Sequence, residues 1–179
     1  MKLQDLMEKY QGKIPARWFH ETSYSYAKRI LQTGAIKSLW EVHPENKQAY
    51  LDQAAADGEE PGMTDDNRTF ATTLTYAPHG NGYFGGLHGT DTLAMFLIDA
   101  TKISQYPNEV EYWPQLEGGL VIVHGNMPIS AFAGMFINTS DPNDPDVAEL
   151  VALCKSKNLP VEVGDKAGRD QAIKRFRGK

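Results

Sequence analysis

The sequence has one cysteine, Cys154, which excludes an intramolecular disulfide framework and a multi-cysteine metal site. No stretch reaches the roughly 18 uncharged apolar residues that a membrane span requires, so no membrane partner is expected. The opening Met1-Lys2-Leu3-Gln4-Asp5 lacks the apolar run of a signal peptide, and a cytoplasmic location, by origin or after delivery into a target cell, is the expectation. There is no internal repeat, heptad run or low-complexity block. There is also no Gly-x-Ser-x-Gly elbow, Walker pattern or dinucleotide fingerprint. What remains is a 179-residue chain, 41% hydrophobic and 23% charged, of a size to bury one substantial core. A single domain over 1–179 is expected, with its core in 16–163 and a basic C-terminal tail in 164–179.

Charge is uneven. The net formal charge is −5, yet the last 16 residues carry six basic and two acidic side chains, a local +4 against −9 for the remainder. An acidic body argues against broad, non-specific nucleic-acid binding. The tail could touch a phosphate backbone or be the solvated end of a helix.

Leu3, Leu6, Met7 and Tyr10 fall at helical spacing on one apolar stripe. Ala16 to His20 predicts a first strand. Thr22 or Ser23 can cap a following helix with Tyr26, Ala27, Ile30 and Leu31 inward, and Gly34 sits where a left-handed C-cap belongs. A helix is expected over 46–56, then a loop. Arg68 to Tyr76, Leu93 to Ile98, Leu120 to Val123, Ala131 to Ile137 and Leu159 to Val163 read as strands. Asp144-Pro145 starts a helix with Val147, Leu150, Val151 and Cys154 on one face, and 167–176 reads as a basic terminal helix. The sum is an α+β domain with strands in its middle and helices toward both ends.

Of the five histidines, His79 and His88 share a glycine-rich loop, but a metal site usually needs a third protein ligand. The aromatics in Gly80-Asn81-Gly82-Tyr83-Phe84-Gly85-Gly86 suit stacking on a ring. Cys154, on an apolar helix face, reads as a buried structural thiol. Glu109-Val110-Glu111 and Gln115-Leu116-Glu117 both precede the strand Leu120 to Val123. In a strand, positions i and i+2 share a face, so Gln-x-Glu presents an amide beside a carboxylate. Such a pair can hydrogen-bond a ribose hydroxyl or stabilise a positive sugar centre.

Three blocks, in order, resemble the ADP-ribosyltransferase superfamily. Trp18-Phe19-His20-Glu21-Thr22-Ser23, followed by Ala27, Ile30-Leu31 and Gly34-Ala35-Ile36, is similar to the family's His-x-Thr/Ser strand and the helix after it. Phe70 to Ala77 is similar to its second motif. Gln115-Leu116-Glu117, with Leu120 to Gly125 and Met127 to Phe132, is similar to its catalytic Gln/Glu-x-Glu strand and proline-containing return. The first and third blocks also resemble bacterial toxins that ADP-ribosylate DNA bases, although the arginine region of those toxins is not evident. The first block reads His-Glu-Thr where the family has His-Gly-Thr, and a His88-Gly89-Thr90 occurs later.

The resemblance implies a split β-sheet core with NAD, as substrate, in a cleft between two small sheets. It implies a catalytic carboxylate at Glu117 or Glu111, the former abutting the core strand, with Gln115 beside it. It implies NAD contacts from His20, Thr22 and Ser23 and stacking on nicotinamide by Tyr76 or Tyr83. The implied function is that of a mono-ADP-ribosyltransferase, a toxin or a phage or bacterial effector, acting on a protein or nucleic-acid acceptor, with an antitoxin or host protein as a further partner. The competing readings are a non-enzymatic, protein-binding inhibitor module without NAD affinity and a metal hydrolase using His79, His88 and a carboxylate.

Overall fold

Two segments far apart in sequence, Arg17–Ser23 (β1) and Leu93–Asp99 (β4), pair antiparallel along their whole length, from Arg17 opposite Asp99 to Ser23 opposite Leu93. They form the centre of a computed structural model that describes residues 2–10, 16–42, 44–58, 68–73, 93–103, 106, 109–113 and 120–178. The other strands are Ala35–Ile36 (β2), Arg68–Thr73 (β3), Val110–Trp113 (β5), Leu120–His124 (β6), Met127–Pro128 (β7), Phe132–Asn138 (β8) and Val161–Gly164 (β9). Seven of them make one sheet in the order β5-β6-β3-β1-β4-β8-β9, and β2 pairs with β7 separately. All pairings are antiparallel except β8 with β9. The helices are Leu3–Tyr10 (α1), Tyr24–Thr33 (α2), Leu39–Val42 (α3), Pro44–Asp57 (α4), Pro145–Ser156 (α5) and Lys166–Arg177 (α6).

Local chemistry explains several boundaries. The Ser23 side chain accepts a hydrogen bond from the Tyr26 N–H and so ends β1 by starting α2. Gly34, at φ +78°, closes α2 by donating its N–H to the Ile30 carbonyl at 2.8 Å. Asp144 caps α5 ahead of Pro145, and Asp165 caps α6 by accepting from the Gly168 N–H at 2.9 Å. Ile129–Ala131 winds into a 3₁₀ turn, which is why β8 begins at Phe132 rather than at Ala131. The expected helix over 46–56 runs Pro44–Asp57, and α3 carries no signal that the sequence reading used.

Strand alternation divides the core into two faces. Trp18, Phe96, Ile98, Val121, Val123, Met135 and Ile137 belong to the larger, with Leu3 and Leu6 of α1, Ala27, Ile30 and Leu31 of α2, and Val147, Leu150 and Cys154 of α5. Phe19, Met95 and Phe136 point the other way and are covered by Ala172, Ile173 and Phe176 of α6. Two expectations change here. The inward residue of α2 is Tyr24, whose hydroxyl donates to the Asn138 carbonyl at 2.6 Å, whereas Tyr26 lies half-buried beneath the Arg29 guanidinium. The segment 164–178 is no solvated tail. Its apolar stripe seals the second face of the sheet, so the core reaches beyond 16–163 at both ends. Burial pushes the Cys154 thiol up to about 11, which leaves it protonated and structural.

Candidate functional site: a split in the sheet at His20

The β1–β3 ladder is short. Trp18 lies opposite Thr73 and Phe19 opposite Thr72, and there it stops. From His20 to Ser23, β1 is paired, among the described residues, only with β4, while β3 continues from Ala71 to Arg68 against β6. The sheet therefore opens between the second half of β1 and the first half of β3. The expected split core takes this form: a β5-β6-β3 half and a β1-β4-β8-β9 half joined by two residue pairs.

His20 and Thr22 stand at the margin of this split, on the Trp18 face by alternation. His20 is half-buried and Thr22 only 7% exposed. Ser23 is tied up locally, its hydroxyl capping α2 and lying 3.0 Å from the Ser25 hydroxyl. The register also fixes where β6 begins. Thr72 lies opposite Phe19 on one side and Leu120 on the other. Leu120 is thus two strands from β1, roughly 10 Å away at usual strand spacing, and level with the residue before His20. Glu117 precedes it by three positions in sequence. Glu117, Gln115, Tyr76 and Tyr83 lie outside the described residues, as do His79 and His88.

Glu111 sits elsewhere. It lies on β5, three strands from β1, opposite Ile122. Its neighbours Val110 and Tyr112 pack toward the Trp18 face, so alternation turns Glu111 to the opposite one. Its Oε1 is 2.5 Å from Nε2 of His124. Among the described residues, no group of three or more His, Cys, Asp or Glu is placed to hold a metal ion.

One pair escaped the sequence reading. Glu21, between His20 and Thr22, faces α6, where Nη1 of Arg169 lies 3.4 Å from its Oε1. The two side chains are 13% and 4% exposed. Only the i, i+3, i+4, i+7 spacing of Arg169, Ala172, Ile173 and Phe176 could have marked Arg169 as inward. Burial pushes the Glu21 carboxyl up to about 7, against the opposing pull of Arg169. A carboxyl that binds its proton more tightly when folded favours folding at low pH. That contribution declines as pH rises from 4.5 through 7. The ionised group then costs about 3 kcal/mol relative to the neutral one. Urea unfolding is expected to show this loss between pH 4.5 and 8 in wild type and not in Glu21→Gln.

A scan against protein-family models matches none, and a search of curated proteins finds no match. Solved structures do match. Thermus sp. 2.9 DarT in complex with NAD+ aligns over 86% of this chain and 96% of its own, at 12% identity and a TM-score of 0.54. The same protein in complex with ADP-ribosylated ssDNA aligns over 83% and 94%, at 12% identity and 0.52. Its complex with carba-NAD+ aligns over 85% and 96%, at 11% identity and 0.51. The α+β fold implied by the ADP-ribosyltransferase resemblance is therefore the fold observed.

Proposed function

We propose that this chain is an NAD-dependent mono-ADP-ribosyltransferase of toxin or effector type, with NAD bound at the split beside His20. One observation carries the reading. β1 loses its neighbour β3 immediately before His20, and β6, which follows the Gln115-Leu116-Glu117 motif, begins level with that point. The likeness to DarT, solved with NAD+ and with ADP-ribosylated ssDNA, supports the same reading.

In this role His20 and Thr22 hydrogen-bond the nicotinamide-side ribose or the carboxamide, and Tyr76 or Tyr83 stacks on the nicotinamide ring. The C1′–N bond to nicotinamide breaks, and positive charge builds on the ribose. The Glu117 carboxylate stabilises that charge and orients the ribose hydroxyl, and Gln115 faces the ribose or the acceptor. An acceptor nucleophile then bonds C1′ and gives up its proton, and nicotinamide leaves. A nucleic-acid acceptor is favoured, because DarT is solved with ADP-ribosylated ssDNA. Glu111 is the weaker catalytic candidate, since its carboxylate is engaged by His124 on the opposite face.

Calorimetry should detect saturable NAD binding in wild type. His20→Ala should weaken it by about tenfold, the worth of one good hydrogen bond to substrate. A chain that ignores millimolar NAD yet holds a protein partner through gel filtration is instead the inhibitor module, with the antitoxin or host protein as its target. Incubation with labelled NAD and either a single-stranded oligonucleotide or a protein extract separates the two acceptor classes.

A further inference from the structure

Beyond Phe19, the described pairing of β1 is with β4 alone. A second set of contacts to this strand lies on the far face. Helix α6 grips β1 at three successive outward positions. At Arg17, Nη1 donates to the Phe176 carbonyl at 2.7 Å and to the Arg177 carbonyl at 3.3 Å, with the guanidinium over the Phe176 ring. At Phe19, the ring meets Phe176 edge-on, with centroids 5.8 Å apart. At Glu21, the carboxylate meets Arg169. Phe19 also has Thr72 of β3 opposite it. Glu21 is the outward position that α6 reaches, among the described residues, in the half of β1 that carries His20 and Thr22.

Arg169 occupies a place on the α6 stripe where an apolar side chain would bury at lower cost. A buried ion pair is rarely more stable than a well-packed hydrophobic replacement. Here the guanidinium is nearly fully buried, and among the described residues its Nε has no hydrogen-bond partner. Stability alone does not account for it.

We propose that Glu21 and Arg169 are positioning residues for the NAD site: their contact ties the second half of β1, which carries His20 and Thr22, to helix α6. This rests on the reading of His20 and Thr22 as NAD contacts. The strand backbone passes from His20 through Glu21 to Thr22. Anchoring the middle side chain on one face therefore fixes the direction of its two neighbours on the other. The groups that face the Glu21 carboxyl are Arg169 and, behind it, Asp170, whose Oδ1 is 3.8 Å from the Arg169 Nε. On β4, the residue opposite is the apolar Met95. With its carboxyl raised to about 7, Glu21 forms a full ion pair with Arg169 only above neutral pH, so the tie tightens with rising pH.

Glu21→Gln keeps the shape and an acceptor and removes the charge. At pH 8 it is expected to weaken NAD affinity by about five- to tenfold, with kcat changed less than twofold. Wild-type affinity should fall to the variant's level as pH drops from 8 to 6, and the variant should be flat over that range. The variant's melting temperature at pH 8 should equal or exceed that of wild type. A purely structural residue would lose affinity and stability together. Arg169→Met, of similar volume, should reproduce the affinity loss in a folded protein. Amide hydrogen exchange at His20 to Ser23 gives a readout independent of NAD and should quicken about tenfold in both variants at pH 8. An NAD-silent wild type whose amides still loosen in Glu21→Gln overturns the NAD reading and supports the tie. Unchanged exchange and an unchanged pH profile of NAD affinity in Glu21→Gln overturn the tie.

Discussion

Glu117→Gln is expected to lower ADP-ribosyl transfer from NAD by about 10²–10³-fold, the usual loss when one preorganised group is removed from a developing charge. The amide keeps the size and hydrogen-bonding reach of the carboxylate and loses its negative charge. The fall should therefore appear in kcat, with NAD affinity and melting temperature nearly unchanged. Glu111→Gln is the internal control. Its carboxylate bonds His124 on the opposite face of the sheet, so transfer should change by no more than about threefold, within the range of an ordinary partly exposed contact. Labelled-NAD transfer and NAD hydrolysis, measured on both variants, decide it. If both glutamine variants turn over NAD at the wild-type rate, the assignment of the catalytic carboxylate is wrong.

Phe19→Ala is expected to destabilise the fold by about 3–5 kcal/mol, a large share of the roughly 5–15 kcal/mol available to a domain. Phe19 is fully buried and sits with Met95 and Phe136 beneath Ile173 and Phe176. The sheet and α6 are each held by several other contacts, so the void cannot fully collapse and the loss includes a cavity term. Urea denaturation should show a lower midpoint with the slope preserved. A loss below about 1 kcal/mol would mean that α6 closes onto the sheet without this ring. Phe19 also adjoins His20, so folded Phe19→Ala protein should bind NAD more weakly than wild type.

The features that could be read from sequence are those set by near neighbours in the chain. Ser23 and Gly34 bracket α2, and Asp144-Pro145 opens α5, because capping is decided within a few residues. The inward face of α2 was placed slightly off, on Tyr26. A tyrosine at either position satisfies the period, and only the distant Asn138 carbonyl selects Tyr24. The strand order was not legible. β1 pairs with β4 at separations of 70 to 82 residues, and the early end of its β3 ladder, which opens the split, follows from register rather than composition. Of the candidate site residues, His20, Thr22 and Ser23 lie at the split, though the Ser23 hydroxyl serves as a helix cap. Glu21 looked like a departure from a His-Gly-Thr pattern, and its partner Arg169 lies 148 residues away. Helical spacing reveals which face Arg169 occupies and not what that face meets.

The order in which the polypeptide is made gives helix α6 a further significance. Phe19, Met95 and Phe136 are all synthesised before the helix that covers them. A nascent chain on the ribosome therefore presents an uncovered apolar sheet face until residues 166–177 have emerged. The sheet itself demands contacts between distant segments, a slow topology to assemble. Until α6 docks, β1 lacks the helix that packs on Arg17, Phe19 and Glu21. The margin bearing His20 thus gains its full packing only after translation has passed α6, and a truncated product ending before residue 166 should be both aggregation-prone and less able to hold that margin in place.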